Sequence, residues 1–184
     1  GGMGVPEEDC AIGILWYPTA ARQEGLGASS LLAEGHGIEN GAPVAPDLAA
    51  EKDLCATLSK LVHMGVVLAA HDVSEGGIAL ALAEMCIEGG IGAEVSLDAQ
   101  AFGFSTRTDS AFFAEIPGFV VVCYRKGGEE TLSAILPETL RFEPIGRASS
   151  SKLTISKVGV VLSETSVQEL RRAYEASIPS LLDF

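Results

Sequence analysis

The sequence predicts an α/β domain of the α+β layered kind, in which one mixed sheet is covered by helices. Three observations lead there. Short apolar runs alternate with stretches of helical periodicity along all 184 residues. One run, FVVVCY from Phe119 to Tyr124, is apolar throughout, which suits a central strand covered on both faces rather than an exposed edge. Hydrophobic residues make up 47% and charged residues 20%, and with aromatics at only 6% the core they build is aliphatic. A chain of this length supports one sizeable core, and residues 1–184 read as a single domain without internal repeat.

The elements follow in order. CAIGILWY, Cys10 to Tyr17, is a buried strand that Pro18 ends. The glycine-bearing loop from Arg22 to Ser30 leads into a short helix around Leu31 and Leu32, which stops in the glycines at 35, 37 and 41. Asp47 is placed to cap a helix whose Leu54, Cys55, Leu58, Leu61 and Val62 share a face and which ends at Gly65. VVLAA, Val66 to Ala70, is a strand that enters the segment HDVSEGG. Ile78, Ala81, Leu82 and Met85 then recur at helical spacing and turn Leu82 and Met85 toward the sheet, before Gly89 and Gly90 close the helix. AEVSL, AFFAE and FVVVCY read as strands, Glu129 to Leu136 as a helix, and RFEPIGRA and KLTISKVGVV as two more strands. The last helix carries Val167, Leu170, Tyr174 and Ile178 on one side, with Ser166 and Glu169 spaced as a capping box at its start.

Charge and cysteine usage narrow the function classes. A formal charge of −13 with 12 Lys and Arg leaves no basic stripe for counterion release, which excludes a nucleic-acid partner. An anionic small ligand stays open, because backbone N–H groups at a helix start capture phosphate locally. Cys10, Cys55, Cys86 and Cys123 form neither a CxxC pair nor a disulfide scaffold, so free thiols and the cytoplasm are expected. The apolar runs fall far short of a membrane span, and the start GGMGVPEED has no signal-peptide pattern; Gly1 and Gly2 before Met3 read as a cloning remnant.

The chemistry concentrates between Val66 and Met85. A strand runs into His71, Asp72, Val73, Ser74, Glu75, Gly76 and Gly77 and then into a helix. His71 and Asp72 stand at the C-terminal end of the strand, where ligands of open α/β sheets bind. Gly76 and Gly77 permit close backbone approach, the helix start attracts an anion, and Ser74 adds a hydroxyl donor. His71, Asp72, Ser74, Glu75, Gly76 and Gly77 are therefore candidates for a phosphate-binding site. The bland alternative is that Ser74 or Asp72 caps the helix and the glycines serve packing; the stretch matches neither GxGxxG nor the P-loop pattern.

The wording of the sequence goes further. AHDVSEGGIALALAEM, Ala70 to Met85, resembles the AHDVSDGGLAVALAEM signature in the last domain of the formylglycinamide ribonucleotide amidotransferases. Upstream, EGLGASSLL resembles the family's ExLGGSEYL. Downstream, FFAEIPGFVVV resembles LFSExPGRFVV, and EPIGR and VQELRRAY also fall in place, so the likeness covers nearly the whole chain in order.

The resemblance implies the fold of an AIR-synthetase C-terminal domain within a longer purine-biosynthetic synthase. That parent uses ATP, Mg and glutamine-derived ammonia to convert formylglycinamide ribonucleotide to the amidine. ATP is bound mainly outside this domain, on ATP-binding domains of the same chain, and a glutaminase subunit or domain supplies the ammonia. The fragment alone is then inactive, with no metal site of its own and no assigned catalytic residue. Gly27, Ser29 and Glu115 become further site candidates. Four departures bear on the site: Glu75 replaces Asp, Ala28 and Ser30 replace Gly and Glu, and Phe119 stands where the family often has Arg. Two other readings stay open. One is a different AIR-synthetase superfamily member, AIR synthetase itself or a hydrogenase maturation factor, although the latter tend to HDPTRGG; the other is a non-catalytic docking domain.

Overall fold

Among the described residues, seven strands form one mixed sheet. The computed structural model describes residues 2–6, 9–21, 25–98, 102 and 107–182. The strands are β1 (Cys10–Trp16), β2 (Val67–Asp72), β3 (Gly92–Ser96), β4 (Phe119–Arg125), β5 (Arg141–Ser149), β6 (Lys152–Lys157) and β7 (Val160–Ser166). They lie in the order β2-β4-β1-β5-β3-β6-β7. Among these seven strands only β3 and β6 pair in parallel; the other neighbours are antiparallel. The α+β layered reading with a mixed sheet therefore holds.

Burial follows position in the sheet. All seven residues of β1 and the first six of β4 are buried, as expected of adjacent interior strands covered on both faces. β7, at the far edge, exposes Val160, Val161 and Leu162.

The helices are α1 (Pro18–Ala21), α2 (Ser30–His36), α3 (Leu48–His63), α4 (Gly77–Gly89), α5 (Thr108–Phe113), α6 (Glu129–Ile135) and α7 (Val167–Leu182). Asp47 caps α3 by accepting from the N–H groups of Ala49 and Ala50. The buried stripe of α3 is Ala50, Leu54, Thr57 and Leu61, so Thr57 faces inward while Cys55 is exposed. On α4 the expected Ile78, Ala81, Leu82 and Met85 are buried, and so are Ala83, Cys86 and Ile87, because α5 and α7 also pack against this helix. Ser166 and Glu169 form the capping box of α7: the Ser166 N–H donates to Glu169 Oε2 (3.0 Å) and the Glu169 N–H to Ser166 Oγ (3.2 Å). Val167 is buried and Leu170 packs against the core, Tyr174 is exposed, and the side chain of Ile178 lies outside the described residues, as do Arg22, Gln23 and Glu24 of the loop before α2.

Two elements differ from the sequence reading. AFFAE is not a strand: Ala111 to Phe113 belong to α5, and only Ala114 and Glu115 are extended or beyond it. A short apolar run has no period of its own, and here the packing of α5 on α4 decides the conformation. KLTISKVGVV is not one strand but the arms of a hairpin, with Lys157 paired to Val160 across the turn Val158–Gly159. Both turn residues have positive φ, 47° and 79°, the mirror-image turn that normally takes Asn-Gly. A β-branched residue in this conformation is unusual and strained, and that is why the turn is unmarked in the sequence. Val158 is 74% exposed, so little burial offsets the strain. Val158→Asn should raise stability by about 1–2 kcal/mol, read as a higher thermal midpoint; an unchanged or lower midpoint would show that the turn carries no strain.

Candidate functional site

β2 delivers the site. Its last residues, His71 and Asp72, pair with Val121 and Val120 of β4, and the Val73 N–H donates to the Phe119 carbonyl. The chain then turns through Ser74 and Glu75, both exposed, into Gly76 and Gly77, whose φ values are +73° and +66°. The Gly77 N–H donates to the Ser74 carbonyl at 3.1 Å. A Cβ on Gly77 would stand 2.6 Å from the Phe112 carbonyl oxygen, so this glycine admits the backbone of α5 as well as the left-handed turn.

Neither Ser74 nor Asp72 caps α4, whose N-cap is Gly76 without a side-chain bond from that residue. The acceptor comes from elsewhere. Glu115 Oε1 accepts from the Gly76 N–H at 2.8 Å and from the Ser30 N–H at 2.7 Å, so one carboxylate oxygen serves the starts of both α4 and α2.

These pieces border a cleft of about 540 Å³ between α3, the end of β2 and the segment leading into β4. His71, Asp72, Ser74 and Glu115 line it together, joined by Glu51, Cys55 and Phe119. His71 is 11% exposed, with Nδ1 2.7 Å from the Asp72 carbonyl oxygen and Nε2 3.1 Å from Glu84 Oε2. Both ring nitrogens thus face acceptors within the chain. Glu51 accepts from the Tyr17 hydroxyl at 3.1 Å. Burial foremost, with the Glu51 and Asp47 carboxylates adding to it, pushes the Tyr17 phenol up to about 12, although the Asp47 N–H pulls the other way. Tyr17 therefore keeps its proton and acts as a donor.

The cleft is acidic. Glu51, Asp72 and Glu115 line it, and among the described residues on its wall there is no Lys or Arg. Phe119, where the resemblance leads one to look for Arg, stacks on Trp16 with ring centroids 6.0 Å apart and planes within 6°. Among the described residues, no group of three or more His, Cys, Asp or Glu is arranged to hold a metal.

Of the sequence candidates, His71, Asp72, Ser74 and Glu115 meet on the cleft. Glu75, Gly76 and Gly77 form the turn beside it. Ser29 is buried and caps α2, its hydroxyl donating to the Leu26 carbonyl at 2.6 Å and accepting from the Leu32 N–H. A Cβ on Gly27 would stand 3.4 Å from Gly41 Cα. Ala28, another departure from the family wording, holds φ +57°. Sequence reasoning missed Glu51, Tyr17 and Glu84. The signal for Glu51 was an acidic residue in the first turn of a capped helix, which by itself reads as helix-dipole chemistry.

A mixed sheet whose β2 feeds a glycine turn and a buried helix is the frame of a known class. Residues 14–159 match the family described as AIR synthase related protein, C-terminal domain, and the chain belongs to it. The relatives it resembles include subunits of phosphoribosylformylglycinamidine synthase. It is 33% identical over 158 residues to phosphoribosylformylglycinamidine synthase subunit PurL of Moorella thermoacetica, matching 85% of this chain and 21% of that one. It is 35% identical over 159 residues to PurL of Thermus thermophilus, matching 86% and 21%. The chain thus spans about a fifth of the length of these relatives. Among solved structures, T. maritima PurL complexed with FGAR superposes with a TM-score of 0.74 at 18% identity, over 91% of this chain and 29% of that one. The hydrogenase maturation protein HypE in complex with ATP gives 0.54 at 18%, over 89% and 53%. These structural likenesses concern the fold.

Proposed function

We propose that residues 1–184 form one C-terminal domain of a longer cytoplasmic synthase that converts formylglycinamide ribonucleotide to the amidine, and that the cleft at His71, Asp72 and Ser74 receives a phosphate-bearing ligand. The observation that carries this reading is the convergence on one cleft of the AHDVSEGG segment and Glu115 of the FFAEIPG segment, which are far apart in the chain and both belong to the wording that resembles the amidotransferase family. The turn from Ser74 to Gly77 lies against the cleft and opens α4, a start that favours an anion. Gly27 and Ser29 support it by shaping the start of α2.

The charge of the cleft limits what this domain does alone. Three carboxylates without a Lys or Arg repel a phosphate. Its counter-charge then comes from outside the domain, from Mg bound with ATP or from basic residues of an ATP-binding domain in the same chain. The residues on the cleft do not make an ATP–Mg site by themselves, which fits ATP being held elsewhere. HypE and PurL have both been solved with ATP, and a PurLQS assembly of T. maritima has been solved. By analogy the partners of this domain are its own ATP-binding domains and a glutaminase subunit or domain.

Two measurements test the proposal. The 184-residue chain should turn over neither ATP nor glutamine, and it should bind the ribonucleotide more weakly than about 1 mM, a free energy of only some 4 kcal/mol. In the full synthase, His71→Ala should raise KM for the ribonucleotide. Turnover by the purified domain, or an unchanged KM in the variant, would remove the reading.

A further inference from the structure

We propose that Glu115 is a positioning residue, one that fastens the Ser74–Gly77 turn to the start of α2 and so fixes the mouth of the cleft; this rests on the cleft being a ligand site. One oxygen, Oε1, accepts from the Ser30 N–H at 2.7 Å and from the Gly76 N–H at 2.8 Å. The donors stand 85 and 39 residues from Glu115 in the chain, so the carboxylate joins three segments that no local structure would hold together. Each donor needs it. Gly76 opens α4 without a side-chain cap, and Ser29, which caps α2, spends its hydroxyl on Leu32 and Leu26. Hydrogen bonds from N–H groups to a carboxylate are the stronger kind, and both helix starts favour a negative charge.

The placement of Glu115 turns this tie into a functional one. It sits between α5 and β4, half-buried, and lines the same cleft as His71 and Ser74. Releasing it frees the turn that carries Ser74, a residue of the cleft wall, from the start of α2. A carboxylate whose oxygen already holds two N–H groups is poorly suited to touch a phosphate, which repels it. Its action on the ligand is therefore indirect, through the position of the turn.

Three substitutions separate this role from direct contact. Glu115→Gln keeps the accepting oxygen and loses the charge, Glu115→Asp keeps the charge and loses a methylene of reach, and Glu115→Ala loses both. In the full synthase, Glu115→Ala and Glu115→Asp should raise KM for the ribonucleotide about tenfold, a little over 1 kcal/mol and within the worth of such bonds, with kcat nearly unchanged. Glu115→Gln should restore KM to within about threefold of wild type. Amide hydrogen exchange should report faster exchange at Ser30 and Gly76 in the Ala and Asp variants and near-normal protection in the Gln variant.

If Glu115→Gln raises KM as far as Glu115→Ala while both amides stay protected, the charge itself meets the ligand and the positioning role is wrong. If the amides loosen in Glu115→Asp and KM does not move, the tie is structural only and the inference also fails. His71→Ala in parallel tells the two readings apart. A raised KM there with no effect at Glu115 overturns the positioning role alone, and no effect at either residue overturns the cleft as a ligand site. Should Glu115→Ala fail to fold, the Asp and Gln pair decides the matter by the same criteria.

Discussion

Leu82→Asp should cost about 5 kcal/mol or more, a large part of the total stability of a domain this size. Leu82 is 1% exposed on α4, flanked by Ile78 and Met85 on the sheet side and by the elements packed over the helix. The substitution removes a buried aliphatic side chain, which alone costs roughly 2–5 kcal/mol, and leaves a carboxylate with no partner. Denaturant titration should show a midpoint far below wild type at a similar slope, or no folded baseline at all. The same change at Leu80, 38% exposed on the same helix, should cost under about 1 kcal/mol. Equal midpoints for the two variants would show that α4 does not face the sheet through Leu82.

Gly77→Val should be nearly as damaging, and for a reason unconnected with any ligand. The backbone there has φ +66°, which a β-branched residue adopts only under strain. Its Cβ would lie 2.6 Å from Phe112 O and 2.8 Å from Phe113 Cα, and these are backbone atoms of a packed helix that cannot rotate away. The two effects together should cost about 3 kcal/mol or more, measured as the loss in unfolding free energy. A variant with wild-type stability would mean that α5 does not rest on this turn. Loss of substrate binding in Gly77→Val would report a displaced α5 as readily as an obstructed anion, so substitutions at His71 and Glu115 are the better probes of the cleft.

Much of the fold was legible because the relevant signals are local. The apolar run of β4, the Asp47 cap of α3, the stripe through Ile78, Leu82 and Met85, and the Ser166–Glu169 box each lie within a few residues of sequence, and each is found in the structure. The failures occurred where local signals were silent. Ala111 to Phe113 carry no period that separates helix from strand, and Val158 occupies a turn position that Asn would have announced. The cleft was legible through the wording of His71 to Gly77. The Tyr17–Glu51 hydrogen bond, the reach of Glu84 to His71 and the two hydrogen bonds accepted by Glu115 were not, since they join residues that only the tertiary fold brings together.

The position of β1 has a bearing on synthesis of the chain. Its partners on either side are β4, with Cys10 opposite Arg125, and β5, with Ala11 opposite Arg147. A nascent chain therefore carries a fully apolar strand, Cys10–Trp16, with no neighbour to pair with until more than a hundred further residues have left the ribosome. β6, β7 and α7 are joined by short connections and can assemble as soon as they appear. β1 is thus an exposed hydrophobic segment until β4 and β5 have emerged, which makes the first part of this domain's own synthesis the interval in which chaperone protection matters most.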